Sequence, residues 1–125
     1  MKKKEFAVIG LGRFGKTVAT SLASSGAQVL VLDQDENALQ EVSDAVTHTI
    51  RGEATSASTI NQLGLGNYDA AVIAMSSNLE SNVMATILVK EAGVPFIVVK
   101  AKTELEGRVL KKVGADKGIY PEKET

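Results

Sequence analysis

Short apolar runs alternate with helical patterns along the whole chain, and most of these runs lack the polar alternation of a half-exposed strand. The run FAVIG at 6–10 reads as a first strand. A helix follows from about Gly12 to Ser25, with Val18, Ala19 and Leu22 on one face, and Gly26 suits the left-handed residue that ends it. VLVLD at 29–33 reads as the second strand, and Asp35 can cap a helix that turns Ala38, Leu39 and Val42 inward. The β-branched run VTHTI at 46–50 predicts a third strand, and either Thr55 or Ser56 caps a short helix carrying Ile60 and Leu63. AAVIAM at 70–75 reads as the fourth strand. A long helix at 78–91 would bury Val83, Ile87 and Leu88. PFIVVKA at 95–101 is the fifth strand, a helix spans about 103–113, and 117–120 makes a short sixth strand.

Strands without polar alternation are buried on both faces, which is the pattern of parallel sheets. Strands separated by helices of this length connect by right-handed crossovers. The chain therefore predicts an α/β fold, a Rossmann-like doubly wound parallel six-stranded sheet with strand order 3-2-1-4-5-6.

At 125 residues the chain has the size of one domain. Its 14 basic and 15 acidic residues leave no basic surplus, which argues against a nucleic-acid partner. Lys2-Lys3-Lys4 is the only basic run and reads as a solvated lead-in. The absence of cysteine removes disulfides and thiolate metal sites. No apolar run approaches the ~20 residues that would insert into a bilayer. A strand-like segment opens the chain where a signal peptide would lie. The polar ending GIYPEKET reads as a domain boundary, with further chain expected beyond it.

Gly10, Gly12 and Gly15 stand between the first strand and its helix with G-x-G-x-x-G spacing. The first permits a tight turn, the second a close approach of backbone to phosphate, and the third close packing of helix on sheet. Amide groups at the helix start, with the helix dipole, attract an anion. Asp33 ends the second strand at the offset, roughly 20 residues on, where an acid receives ribose hydroxyls. A carboxylate there repels a 2′-phosphate and disfavours NADP. The alternative readings are an ordinary strand–helix turn for the glycines and a simple cap for Asp33.

The machinery to transform a nucleotide is harder to find. The one histidine, His48, lies in the third strand and reads as structural. There is no Ser/His/Asp set and no metal motif. Binding without chemistry favours a sensor over an enzyme. The competing reading is an NAD-dependent oxidoreductase fragment lacking its catalytic domain.

FAVIGLGRFG, the acid at Asp33, Gly52-Glu53-Ala54-Thr55, Asn78 before its helix, Val99-Lys100-Ala101, Val109-Leu110, Gly114-Ala115-Asp116 and Pro121-Glu122 occur in one order. Together they resemble the regulator-of-potassium-conductance (RCK, or TrkA-N) domain, and most of all the cytosolic gating subunits of bacterial Ktr potassium uptake systems. The resemblance implies that residues 1–125 are the nucleotide-binding N-terminal domain of a regulatory subunit. Such a subunit is cytoplasmic and peripheral to the membrane. It is not an enzyme, forms dimers and octameric rings, and docks under a membrane potassium-transporting partner. ATP or ADP, and NAD or NADH, are the implied ligands, and a further C-terminal lobe able to bind cyclic di-AMP is implied beyond this segment.

Carried over by position, the resemblance assigns Gly10, Gly12, Arg13, Phe14 and Gly15 to the phosphate loop, Asp33 to the ribose, and Gln34 to the ligand site. It places Glu53 near the adenine, Ala54 and Thr55 in the ligand site, and Met75 and Ser76 beside the ligand, where relatives often read Ile-Gly. Lys100 falls near the terminal phosphates, and Glu122 near them as a ligand of an interfacial cation such as Mg²⁺. Arg13 is either a solvent-facing residue or a guanidinium that reaches the terminal phosphate of a nucleotide in a neighbouring subunit.

Overall fold

The computed structural model describes residues 2–76 and 78–121. Six strands, β1 (Glu5–Ile9), β2 (Gln28–Asp33), β3 (His48–Arg51), β4 (Ala70–Ile73), β5 (Ile97–Lys100) and β6 (Lys117–Ile119), form one parallel sheet in the order β3-β2-β1-β4-β5-β6. This is the doubly wound architecture and strand order that the hydrophobic pattern predicts. The order reverses at β1, which pairs with β2 on one side and β4 on the other. In such sheets that reversal opens a crevice at the carboxyl ends of the strands.

Alternate residues of the central strands supply two cores. Val8, Val29 and Val31 pack with Ala19 of α1 (Arg13–Ser24) and with Ala38, Leu39 and Val42 of α2 (Glu36–Val42). Ala7, Ile9, Leu30 and Leu32 face the other way, toward α3 (Ala57–Gln62), α4 (Leu79–Glu91) and α5 (Glu104–Lys112). Ile60, Val89 and Leu110 come from those three helices and are fully enclosed.

Three expectations need correction. The third strand runs from His48 to Arg51 rather than over 46–50, and it is an edge strand whose His48, Thr49 and Arg51 are exposed. β-Branched residues suit an edge as well as a centre, so composition could not place it. The fourth strand stops at Ile73, which releases Ala74 and Met75 to form a wall of the crevice. On α4 the residues facing the core are Asn82, Ala85, Thr86 and Val89, while Val83, Ile87 and Leu88 are only half-buried. The helix is apolar around most of its circumference, so its period does not single out one face. Small residues meet the sheet, and Thr86 is accommodated because its hydroxyl donates to the Asn82 carbonyl at 2.7 Å.

The amino ends of the strands are closed by carboxylates. Asp69 accepts the Glu5 amide at 2.8 Å, and Asp116 accepts the Ile97 amide at 2.8 Å. At the same end, burial first and then the charge of Glu5 raise the pKa of the Tyr68 phenol above its ordinary value.

Candidate functional site

The chain leaves β1 through Gly10, whose φ of +98° is available to glycine at little cost. Its amide donates to the Leu32 carbonyl at 2.9 Å, tying the turn to β2. A Cβ on Gly10 would lie 3.0 Å from the Ala74 and Met75 backbone, and one on Gly12 would lie 3.1 Å from the Ser76 hydroxyl. A Cβ on Gly15 would overlap the Gly10 carbonyl oxygen. The three glycines therefore serve separate contacts, and the third lets α1 press against the loop that precedes it.

The start of α1 differs from every other α-helix start among the described residues. Asp35, Ser56, Asn78 and Thr103 cap α2, α3, α4 and α5 with side-chain oxygens. Gly12 offers α1 no such cap, and no acidic residue occupies its first turn. The first amides of α1 thus keep their donors for an outside acceptor, and the positive end of the helix dipole is not neutralised from within.

Asp33 stands beside this helix start. Its Oδ2 accepts the Leu11 amide at 2.7 Å and its Oδ1 accepts the Asp35 amide at 2.8 Å. The glycine loop and the acid are therefore one hydrogen-bonded unit. Each carboxylate oxygen retains a second lone pair, enough to receive the two hydroxyls of a ribose.

Together these groups border a cavity of about 310 Å³ at the carboxyl ends of the strands. Of the residues assigned from sequence, Gly10, Gly12, Asp33, Gln34, Ala54, Met75 and Ser76 line it. Lys100 lies at its rim, where the ammonium donates to the Ser76 hydroxyl at 3.3 Å. Glu53 is outside the cavity, in an adjoining groove of about 370 Å³ shared with Gln34, Arg51 and Gly52. Arg13 is exposed on the first turn of α1, Phe14 and Thr55 are half-buried, and Gly15 is buried under the loop. These four do not line the cavity. Glu122 lies outside the described residues. Among the described residues no group of three His, Cys, Asp or Glu side chains could hold a metal ion.

Sequence reading missed Leu11, Gly52 and Arg51. Leu11 contributes through its amide, which no side-chain motif announces. Arg51 is the in-register neighbour of Asp33 on the parallel ladder, and its Nε donates to the Gln34 carbonyl at 3.1 Å. Only the register of β3, which composition set too early, would have revealed it. What the cavity presents is a set of free amides, one oriented carboxylate and a hydroxyl joined to a lysine. Such groups suit a phosphorylated, hydroxyl-bearing ligand.

Residues 6–121 match the TrkA-N domain family. The chain is 39% identical over 122 residues to Ktr system potassium uptake protein C of Bacillus subtilis (strain 168), covering 98% of this chain and 55% of that protein. It is 42% identical over 121 residues to Ktr system potassium uptake protein A of Vibrio alginolyticus, covering 97% and 55%. The chain thus spans about half the length of these relatives. Among solved structures, the TrkA-N domain of the Escherichia coli inner membrane protein ybaL superposes with a TM-score of 0.85 at 15% identity, covering 98% of this chain and 91% of that one. The GsuK channel bound to NAD gives a TM-score of 0.79 at 15% identity, over 94% of this chain and 21% of the channel. At such identities the likeness is one of fold.

Proposed function

The chain belongs to the TrkA-N domain family, and from that premise we propose that it is the nucleotide-sensing lobe of a cytosolic subunit that regulates a membrane potassium transporter. The observation that carries the reading is the uncapped start of α1 opening beside the twice-bonded carboxylate of Asp33. An anion at the helix start and a sugar diol at the acid are the two ends of one nucleotide. ATP or ADP, and NAD or NADH, fit that requirement, and the NAD-bound GsuK channel lends support through its shared fold.

In this reading the inner phosphates lie on the amides of Gly12 to Gly15, and Lys100 approaches the outer ones from the far rim. The base extends into the groove beyond Gln34. Residues 1–125 act as one lobe of a longer regulatory chain, and they sense rather than transform their ligand. Self-association into dimers and rings is supported by the large apolar side chains Met84, Phe96 and Leu105, which stand 45%, 45% and 63% exposed. No helix among the described residues is long and apolar enough to cross a membrane, so the proposed link to the bilayer runs through the transporter partner. Glu122, with a cation such as Mg²⁺, belongs to the contact between subunits.

Regulation requires the ligand to bind two ring shapes unequally. Arg13, charged and exposed at the loop, would supply that difference by meeting the terminal phosphate of a neighbouring subunit's ATP. Calorimetric titration with ATP, ADP and NADH tests the reading. Saturable binding of ADP or ATP is expected, and Arg13→Ala should weaken ATP more than ADP. An absence of binding by all three would reject it.

A further inference from the structure

The groove beside the nucleotide cavity contains a cation with an unusual arrangement. Arg51 is exposed at the end of β3, and its Nε donates to the Gln34 carbonyl at 3.1 Å. Nε lies in the guanidinium plane, so this bond restrains the plane as well as the position of the group. Among the described residues no carboxylate forms an ion pair with it, although Glu53 lines the same groove. The side chain is thus tethered by one bond while its charge and both terminal nitrogens stay free.

The ladder register explains where it stands. Arg51 is paired with Asp33, and the Gly52 amide donates to the Asp33 carbonyl at 3.1 Å. A ligand whose ribose engages Asp33 must carry its base either back over the glycine loop, which the phosphates occupy, or outward over Gln34 and Gly52. The outward path is the groove of about 370 Å³. The phenylalanines and tyrosines of the chain do not line either cleft. The guanidinium of Arg51 is therefore the planar group available there to a flat heterocycle.

We propose that Arg51 is the base-recognition residue of this site, a guanidinium platform on which a purine stacks, with the Glu53 carboxylate available to an exocyclic amino group. The proposal rests on the nucleotide reading above and specifies it further. Arginine stacks on aromatic rings through both its plane and its charge, and lysine, a compact point charge, lacks the plane. A purine offers a larger face than a pyrimidine, so the platform should favour ADP over UDP.

The experiment measures ADP, UDP, 2′,5′-ADP and ribose 5-phosphate binding to the wild type, Arg51→Ala and Arg51→Lys by titration, with thermal melting as the control for folding. In the wild type ADP should bind more tightly than UDP. Arg51→Ala should weaken ADP about tenfold, between the sizes of an exposed and a desolvated cation–π contact, and Arg51→Lys should recover at most part of that loss. Both should bring the ADP-to-UDP ratio close to one and leave ribose 5-phosphate within about twofold, the margin of a group that touches only the base. Unchanged ADP affinity would overturn the proposal. So would equal losses for ADP and ribose 5-phosphate, which would place Arg51 on the sugar or phosphate. A loss confined to 2′,5′-ADP would make it a 2′-phosphate receptor instead. Failure of the wild type to bind any of the four ligands would reject the nucleotide reading itself, an outcome distinct from each of these.

Discussion

Three aspartates in this molecule accept backbone amides at the ends of strands, and they do so at opposite ends of the sheet with different consequences. At the amino ends, the exposed Asp69 holds Glu5 and the exposed Asp116 holds Ile97, each through one oxygen, and the hollow of about 200 Å³ beside Asp69 is lined by Lys2, Lys3 and Lys4 with no glycine loop. At the carboxyl ends, Asp33 holds Leu11 and Asp35 with both oxygens, yet its outer side faces a cavity of about 310 Å³. The same interaction serves closure at one end and preorganisation at the other. What separates them is the neighbourhood. Asp33 adjoins a glycine loop and a helix start without a cap, whereas the other four α-helices supply their own capping oxygens.

Substitutions can break that contrast, beginning with the largest effect. Gly15→Ala drives a methyl group into the Gly10 carbonyl, a backbone atom that cannot rotate away. It should cost about 3 kcal/mol of stability, at the upper end for an overpacked site, and abolish ADP binding along with the loop's shape. Thermal melting and calorimetry together would show this, and a stable, binding variant would mean that the loop tolerates displacement.

Asp33→Ala should weaken ADP by about 1.5–3 kcal/mol through the loss of charge-assisted hydrogen bonds. It should also lower the melting temperature, since the buried Leu11 amide loses its acceptor. Intact ADP affinity with reduced stability would reduce Asp33 to the role of Asp69 and Asp116. The converse substitution sharpens the comparison. Asp116→Ala leaves the amide of fully buried Ile97 without its partner and should cost about 1–2 kcal/mol, with ADP affinity unchanged. Asp69→Ala removes an exposed bond and should cost less, about 0.5–1 kcal/mol, again without touching ADP.

The contrast also explains what could be read from sequence. The inner half of the cavity was legible because its signals are local. Glycine spacing and the strand before it lie within a few residues of the atoms they position, and the acid, although it holds an amide 22 residues away, is marked by its place at the end of β2. The sheet order followed from the alternation of apolar runs and helices. The outer half was not legible in the same way. Arg51 and Gly52 reach the site through the register of an edge strand, and β-branched composition placed that strand early. Glu53 was assigned near the ligand by resemblance, and it lies in the adjoining groove rather than the main cavity. The core face of α4 was hidden for another reason. A helix apolar on several sides has no single stripe to read, and the residues that meet the sheet are the small Ala85 and Thr86 with Asn82 and Val89.

If the proposal holds, a nucleotide occupies the carboxyl end of the sheet and leaves the amino end untouched. Titrating isotope-labelled protein with ADP while following backbone amide chemical shifts tests it most directly. The largest shifts are expected at Gly10, Leu11, Gly12, Asp33, Gln34 and Gly52, with Glu5, Asp69, Ile97 and Asp116 unmoved. Shifts gathered around Glu5 and Asp69, or no saturable shift at the glycine loop, would contradict it.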